Sequence, residues 1–341
     1  MEEITTGWKI LHSLYKETIL YFTLQFYNKV KPNQTTIEKK EIVFMRKPSL
    51  KSIGALALAA MLSMGVLVGC GGTSDSTEGG TGTINVISRE DGSGTRSAFV
   101  ELFGVEEKDA NGEKIDRTKA DASVTNSTAV MMTNVANDPN AIGYLSLGSL
   151  DDSVKAVKID NVDATADNVK NGTYAVSRPF NIVTKDSVSE VAQDFIDFIL
   201  SADGQKIVED NKYTASVDNA KAFKTKAPTG KLVIAGSSSV SPVMEALKEA
   251  YLAVNTNAEI EIQTSDSTTG VNSAKEGICD IGMASRELKD EEKSAGLTAT
   301  VIAIDGIAVI VNDNNPIETM TKDQVKSVYV GETTDWSQLN G

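Results

Sequence analysis

The sequence predicts an α/β fold of two lobes with largely parallel sheets, on three observations. Short β-type runs alternate with stretches of helical apolar spacing, as expected of strands joined by crossover helices. The alternation stops in a polar stretch, residues 213–230, and then restarts. At 341 residues the chain is also long enough for two modest cores after any processed segment is removed.

Residues 83–88 (Thr-Ile-Asn-Val-Ile-Ser) read as a strand, followed by a Gly-rich turn and a helix over 97–103. Residues 141–147 and 178–184 read as two further strands. Val188, Val191, Ala192, Phe195, Ile196 and Ile199 recur at three- and four-residue intervals, which predicts a helix with one core-facing side. Gly204 and Gln205 then begin a final turn that leads into the polar stretch 213–230, read as a linker. Beyond it come a strand over 231–235 and a helix carrying Val240, Val243, Met244 and Leu247. A strand over 259–263, a polar turn over 265–270 and a helix over 271–276 follow. The long apolar run 301–311 is interrupted by Asp305-Gly306, and no internal repeat relates the halves.

The amino terminus carries a processing signal. Arg46, Lys47 and Lys51 precede an uncharged run over 52–69 that ends in Leu67-Val68-Gly69-Cys70. This order of basic residues, apolar run and small residues before a cysteine looks like a bacterial lipoprotein signal, with Cys70 the lipidated first residue of the mature chain. The apolar run is short for a membrane span, and the polar, Gly-rich residues after it suit a solvated tether. Met45 stands just before the basic pair and is read as the true start, so residues 1–44 are set aside.

Nine basic and five acidic residues precede Cys70, so their removal takes the formal charge from −14 to −18. That charge argues against nucleic acid, and it means that an anionic ligand has to be captured by local dipoles and hydrogen bonds. The one histidine, His12, lies in the discarded segment, and after Cys70 the one cysteine is Cys279. The mature chain therefore has no Ser-His or Cys-His pair, no His-ligated metal and no internal disulfide. No cofactor, metal or catalytic residue is expected, and Cys279 reads as a small core residue.

Three segments share one design, a strand ending in a Ser/Thr/Gly-rich turn that opens a helix. They are Arg89-Glu90-Asp91-Gly92-Ser93-Gly94-Thr95-Arg96, Gly236-Ser237-Ser238-Ser239 and Ser265-Asp266-Ser267-Thr268-Thr269-Gly270. Each can offer backbone N–H groups at a positive helix end together with hydroxyl donors. Several such ends converging from different directions suit a tetrahedral oxyanion. Gly92 and Gly94 let the backbone approach closely, and Arg89 supplies a planar bidentate donor that Asp91 can orient. Taken singly, each turn is equally well explained by helix capping.

On these motifs the chain resembles the phosphate-binding proteins of the phosphate-specific ABC transporters. The first segment matches that family's Arg-x-Asp-Gly-Ser-Gly-Thr signature, and 235–242, 280–286, 305–309 and 141–144 match further motifs. The resemblance covers essentially all of 83–341. It implies a two-lobed periplasmic-binding-protein-like fold of type II with the ligand in the interlobe cleft. It further implies that Arg89, held by Asp91, binds phosphate with Ser93, Gly94 and Thr95 from one lobe, and that Ser238, the N–H of Ser239 and Ser267 bind from the other. The best-known members carry a carboxylate that accepts the proton of hydrogen phosphate at the position of Ser285. A serine there puts discrimination against sulfate in question, with Asp266 and Asp305 as candidate substitutes. Arg286 reads as a surface ion-pair partner, the alternative being a second positive contact to the ligand.

In that family the Gly-Ser-Ser-Ser half ordinarily comes first, and here it comes second. The carboxyl end, 336–341, resembles the stretch that normally runs into the strand near Thr83. A circular permutation is expected from this, with a fragment of a tandem protein as the rival. The resulting lobes are 83–176 plus 312–341, with the arginine loop, and 177–311, with the Gly-Ser-Ser-Ser turn and the linker 213–230. Ahead of them lie an upstream extension (1–44), the signal (45–69) and a tether (70–82). The expected function is capture of inorganic phosphate outside the cytoplasmic membrane by a monomer held there through lipid on Cys70, and its delivery to permease subunits of an ABC importer. A phosphate-handling enzyme, or a sensor or adhesion lipoprotein on the same fold, are the alternatives.

Overall fold

The computed structural model describes residues 80–185 and 187–339. The expected extension 1–44, the signal 45–69, the lipidated Cys70 and the tether up to residue 79 lie outside the described residues.

In the first part of the chain, β1 (Asn85–Arg89) leads into α1 (Gly94–Leu102), β2 (Ser123–Thr125) into α2 (Thr128–Asn137), and then β3 (Ala141–Ser146) follows. After β4 (Ser177–Thr184) come α3 (Glu190–Ile199) and α4 (Ala202–Asp210). Two strand and helix pairs follow, β5 (Gly230–Ser237) with α5 (Ser241–Val254) and β6 (Ala258–Ser265) with α6 (Ser267–Glu276), and then two strands, β7 (Ile281–Ala284) and β8 (Thr298–Val311). Near the end lies α7 (Lys322–Tyr329).

Local chemistry explains most helix starts. Ser93, Ser127, Ser189, Ser201, Asp266 and Thr321 each accept a backbone N–H from the first turn that follows. In α5, Pro242 stands in the first turn, where its missing N–H leaves no bond unmade. The predicted apolar side of α3 is the buried one, with Val191, Ala192, Phe195, Ile196 and Ile199 in the core.

The main sheet runs β6-β5-β7-β4-β8-β3-β1-β2. The expectation of largely parallel sheets holds only for the flanks. β5 is parallel to β6 and β7, and β1 to β2 and β3, whereas β4 and β8 in the centre run antiparallel to their neighbours. The predicted run 301–311 is part of one continuous strand, because Asp305-Gly306 does not break β8 but marks where it changes partner. From Thr298 to Gly306 it pairs with β4, and from Ile307 to Val311 with β3.

That change of partner divides the cores. Buried apolar residues between 84 and 176 join those between 307 and 339, Trp336 and Tyr329 included, in one cluster. Those between 180 and 303 form two clusters on opposite faces of the second lobe's sheet. Ile182, Ile234 and Met283 face α3 and α5, and their chain neighbours Val183, Ala235 and Ala284 face α6. The chain therefore crosses between lobes at Val176–Ser177 and at Gly306–Ile307, side by side, with the Ile307 N–H donating to the Val176 carbonyl at 2.9 Å. The expected lobe edge after Val311 falls inside the first core.

Two local expectations are corrected. Gly204-Gln205 begins no final turn but lies inside α4, where Ser201 caps the helix and Gly204 packs beneath the Phe198 and Ile199 carbonyls. The stretch 213–230 connects two parts of the second lobe and is pinned to it. Gln205 accepts from the Ser216 N–H at 2.7 Å, Asp203 from the Phe223 N–H at 2.7 Å, and Asp194 from the Thr225 hydroxyl at 2.7 Å.

The packing of α6 on β5 requires glycine. A Cβ on Gly270 would stand 2.6 Å from the Gly236 Cα and 2.7 Å from the Ala235 carbonyl oxygen, both backbone atoms that cannot swing away. Gly270→Ala is expected to destabilise the fold by roughly 1–3 kcal/mol, read from the midpoint of urea unfolding; an unchanged midpoint would show that the helix can shift freely.

Candidate functional site

Four of the strand-to-helix turns point into one region between the lobes. The carboxyl ends of β1 and β2 bring the amino ends of α1 and α2 from the first lobe, and those of β5 and β6 bring α5 and α6 from the second. Helix amino ends and the carboxyl ends of strands at a switch point are where α/β folds take up anions.

The eight residues singled out for ligand contact, Arg89, Ser93, Gly94, Thr95, Ser238, Ser239, Ser267 and Ser285, are all buried there. The lobes touch directly through them. Arg89 Nη2 donates to Ser238 Oγ at 3.1 Å, Thr95 Oγ1 and Ser239 Oγ are 2.8 Å apart, and the Thr268 N–H donates to the Gly92 carbonyl at 3.2 Å. Ser285 closes the back: its N–H donates to Ser267 Oγ at 3.0 Å, and its Oγ accepts from Ser237 Oγ at 2.9 Å. The Ser239 N–H turns to Ser237 Oγ at 3.3 Å within its own loop.

Arg89 is 1% exposed, and a guanidinium so far from water needs partners. The expected partner, Asp91, is not the one it has. Glu90 folds back to accept from Arg89 Nε and Nη2, both at 2.8 Å, whereas Asp91 stands at the outer side of the turn, its side chain 97% exposed, and pairs with Arg96. Asp91 acts on the loop indirectly, since Arg96 also donates to the Arg89 carbonyl at 3.0 Å. The Tyr144 hydroxyl accepts from the Arg89 N–H at 3.2 Å and bonds Ser88 Oγ at 3.0 Å. Burial pushes that phenol up to about 12, so it stays a neutral anchor for the strand end. Arg89 Nη1 is buried with no hydrogen-bond partner, a charged donor left open inside the site.

Two residues were missed in the sequence. Glu90 is the variable position of the signature, so the motif did not point to it. Thr128, whose hydroxyl lies 3.1 Å from Ser239 Oγ, opens α2 after Thr125-Asn126-Ser127. That is a fourth copy of the strand-turn-helix design, hidden because its strand has only three residues.

Neither candidate substitute carboxylate is free. Asp266 caps α6, accepting from the Thr269 N–H at 2.8 Å and the Thr269 hydroxyl at 2.6 Å. Asp305 accepts from Arg178 Nη2 at 3.0 Å and from Ser146 Oγ at 2.9 Å. Burial pushes its carboxyl up to about 6, against the pull of the Arg178 guanidinium. Arg286, expected at the surface, is 6% exposed and forms a two-pronged pair with Glu292, both contacts at 2.8 Å. Its hydrogen bonds, to Glu292, the Glu287 carbonyl and Thr268, all stay within the second lobe. Cys279 is buried, with its thiol pushed up to about 11, an unreactive core residue. Among the described residues no group of three or more His, Cys, Asp or Glu could hold a metal ion, and no helix is long and apolar enough to cross a membrane.

The family model of the PBP superfamily domain matches residues 47–203 and 222–341. A relative named phosphate-binding protein PstS 2, from Streptococcus agalactiae serotype V, is 55% identical over 291 residues, which is 85% of this chain and 98% of the relative. A relative of the same name from Streptococcus pneumoniae serotype 4 is 45% identical over 286 residues, 83% of this chain and 98% of the relative. The crystal structure of a phosphate-binding protein of a phosphate ABC transporter from Streptococcus pneumoniae TIGR4 superposes with a TM-score of 0.62 at 45% identity, covering 76% of this chain and all of the other.

Direct contact of the lobes depends on Gly94. A Cβ there would stand 2.3 Å from Ser267 Oγ and 2.7 Å from Ser285 Oγ. Gly94→Ala is expected to hold the lobes apart while each core stays intact. Solution scattering should then give a larger radius of gyration at a nearly unchanged unfolding midpoint; a profile identical to the parent's would show that closure does not need the glycine.

Proposed function

The chain belongs to the PBP superfamily and, within it, to the phosphate-binding proteins that its streptococcal relatives represent, and from that premise we propose that it captures inorganic phosphate between its lobes and delivers it to an ABC-type importer. The observation that carries this reading is the convergence of four helix amino ends and a buried guanidinium, with one nitrogen open, at the point where the lobes meet. Arg89, Ser93, Gly94, Thr95 and Thr128 bind from one side, and Ser238, Ser239, Ser267 and Ser285 from the other. Glu90 holds the guanidinium in place. Rotation about the two crossings at Ser177 and Gly306 opens the cleft, and the closed form presents both lobes to the permease. The protein acts as a monomer on the outer side of the cytoplasmic membrane, tethered through lipid on Cys70, and performs no covalent chemistry.

We read the reversed order of the halves as a circular permutation. The two ends of the described chain lie together, which supports this. Thr83 bridges Asp335, the Ile84 N–H donates to the Thr334 carbonyl at 2.8 Å, and the Trp336 N–H donates to the Gly82 carbonyl at 3.0 Å. Adjacent ends are the condition under which a fold tolerates such a change.

Calorimetric titration with phosphate is expected to show tight single-site binding, and Arg89→Ala to weaken it by at least about 100-fold, because a buried charge-assisted donor is lost. Near-parent affinity in that variant would sink the assignment. Selectivity is a separate test. Glu90, Asp266 and Asp305 are each held by protein donors and none is dedicated to the proton of hydrogen phosphate, so sulfate is expected to compete within about tenfold, and Ser285→Asp to widen the gap. A parent protein that rejects sulfate a thousandfold would mean that one of those carboxylates turns toward the ligand.

A further inference from the structure

We propose that Arg178 is a positioning residue for the anion site, and that with Asp305 and Ser146 it couples closure of the lobes to capture of the anion. The proposal rests on the phosphate-binding reading above.

Arg178 and Asp305 are register partners on β4 and β8, each one residue inside the second lobe from a crossing between lobes. Their side chains are 2% and 0% exposed. The Asp305 carboxylate is shared between the lobes. Its Oδ2 accepts from Arg178 Nη2 at 3.0 Å and Nε at 3.3 Å, and its Oδ1 accepts at 2.9 Å from the hydroxyl of Ser146, the last residue of β3 in the first lobe. The remaining nitrogen, Arg178 Nη1, donates to the Ser285 carbonyl at 3.1 Å. The guanidinium also stands 5.3 Å from the centre of the Phe180 ring, which fixes its plane from the core side.

Ser285 passes the constraint to the site. Its N–H and hydroxyl both meet Ser267 Oγ, and these two serines are the atoms that oppose Gly94 across the cleft. An unbroken series of contacts thus runs from Ser146 through Asp305 and Arg178 to the hydroxyls that face the arginine loop.

The series responds to closure because of where it starts. Ser146 is paired in register with Ile307, just beyond the crossing, and Asp305 lies just before it. A rotation at Gly306 changes the angle between those two positions and so makes or breaks the Ser146 to Asp305 bond. The ion pair itself stays together through the rotation, since separating it in a dry interior would leave a charge without a partner. Arg178 does not touch the anion; it sets the Ser285 carbonyl, and with it the direction of the Ser267 and Ser285 donors, when the lobes close.

The test compares Ser146→Ala, Arg178→Lys and the double variant with the parent, using inorganic phosphate as the probe. Affinity is read by calorimetry, release by stopped-flow, and folding by urea unfolding. Ser146→Ala removes one hydroxyl far from the anion and is expected to fold like the parent, yet to bind phosphate about tenfold more weakly through faster release. Arg178→Lys keeps the charge but loses the planar fork, with a similar loss. Because both act through one series of contacts, the double variant should be no weaker than the weaker single variant, a non-additivity that a general loss of stability does not produce. Single variants within twofold of the parent, or losses that multiply to about 100-fold in the double, would overturn the proposal. A parent that does not bind phosphate at all would refute the phosphate reading itself, and this proposal with it.

Discussion

A guanidinium held away from water governs the architecture of this protein. Arg89 sits at the carboxyl end of β1, 1% exposed, in a chain whose net charge is strongly negative. Its charge is met on one edge by Glu90 and on another by a hydroxyl from the opposite lobe, and one nitrogen stays open. Glu90 cancels the formal charge, so on the proposed reading an anion is held by directed donors and helix ends more than by net field. Its donors come from both lobes, so the proposed binding calls for the lobes to be closed.

The rest of the fold serves that geometry. Strands β1, β2, β5 and β6 deliver their helices to the cleft, and small residues at the contact let backbone meet backbone. β8 runs through both lobes and changes partner at Gly306, so the two sheets are mechanically continuous while their cores remain separate. The chain passes between the lobes at two neighbouring crossings joined by a hydrogen bond.

Much of this was legible in the sequence because it is local. Strand, turn and helix follow each other within a dozen residues, and a serine that caps a helix is also placed to face an anion. The site residues came together as the turns implied. What the sequence did not reveal depends on distance in the chain or on side-chain direction. Nothing local distinguishes Glu90 from Asp91 as the partner of Arg89; the turn decides it by sending one inward and the other out. Nothing local marks Arg286 as buried, because Glu292 covers it only through the turn that follows. The strand before α2 is too short to carry a period, which hid Thr128. The lobe edge was misplaced because an apolar run gives no sign of the residue at which a strand exchanges one partner for another. The apparent linker 213–230 is polar, yet it is held down by Asp194, Asp203 and Gln205 from helices elsewhere in the sequence.

The most direct test of the central claim is the position of the ligand. Crystals grown with arsenate, an isostere of phosphate with a strong anomalous signal, should show one arsenic peak between the lobes, its oxygens within hydrogen-bond reach of Arg89 Nη1 and of hydroxyls from both lobes. A peak contacted by one lobe only, or none in the cleft at saturating arsenate, would contradict the account.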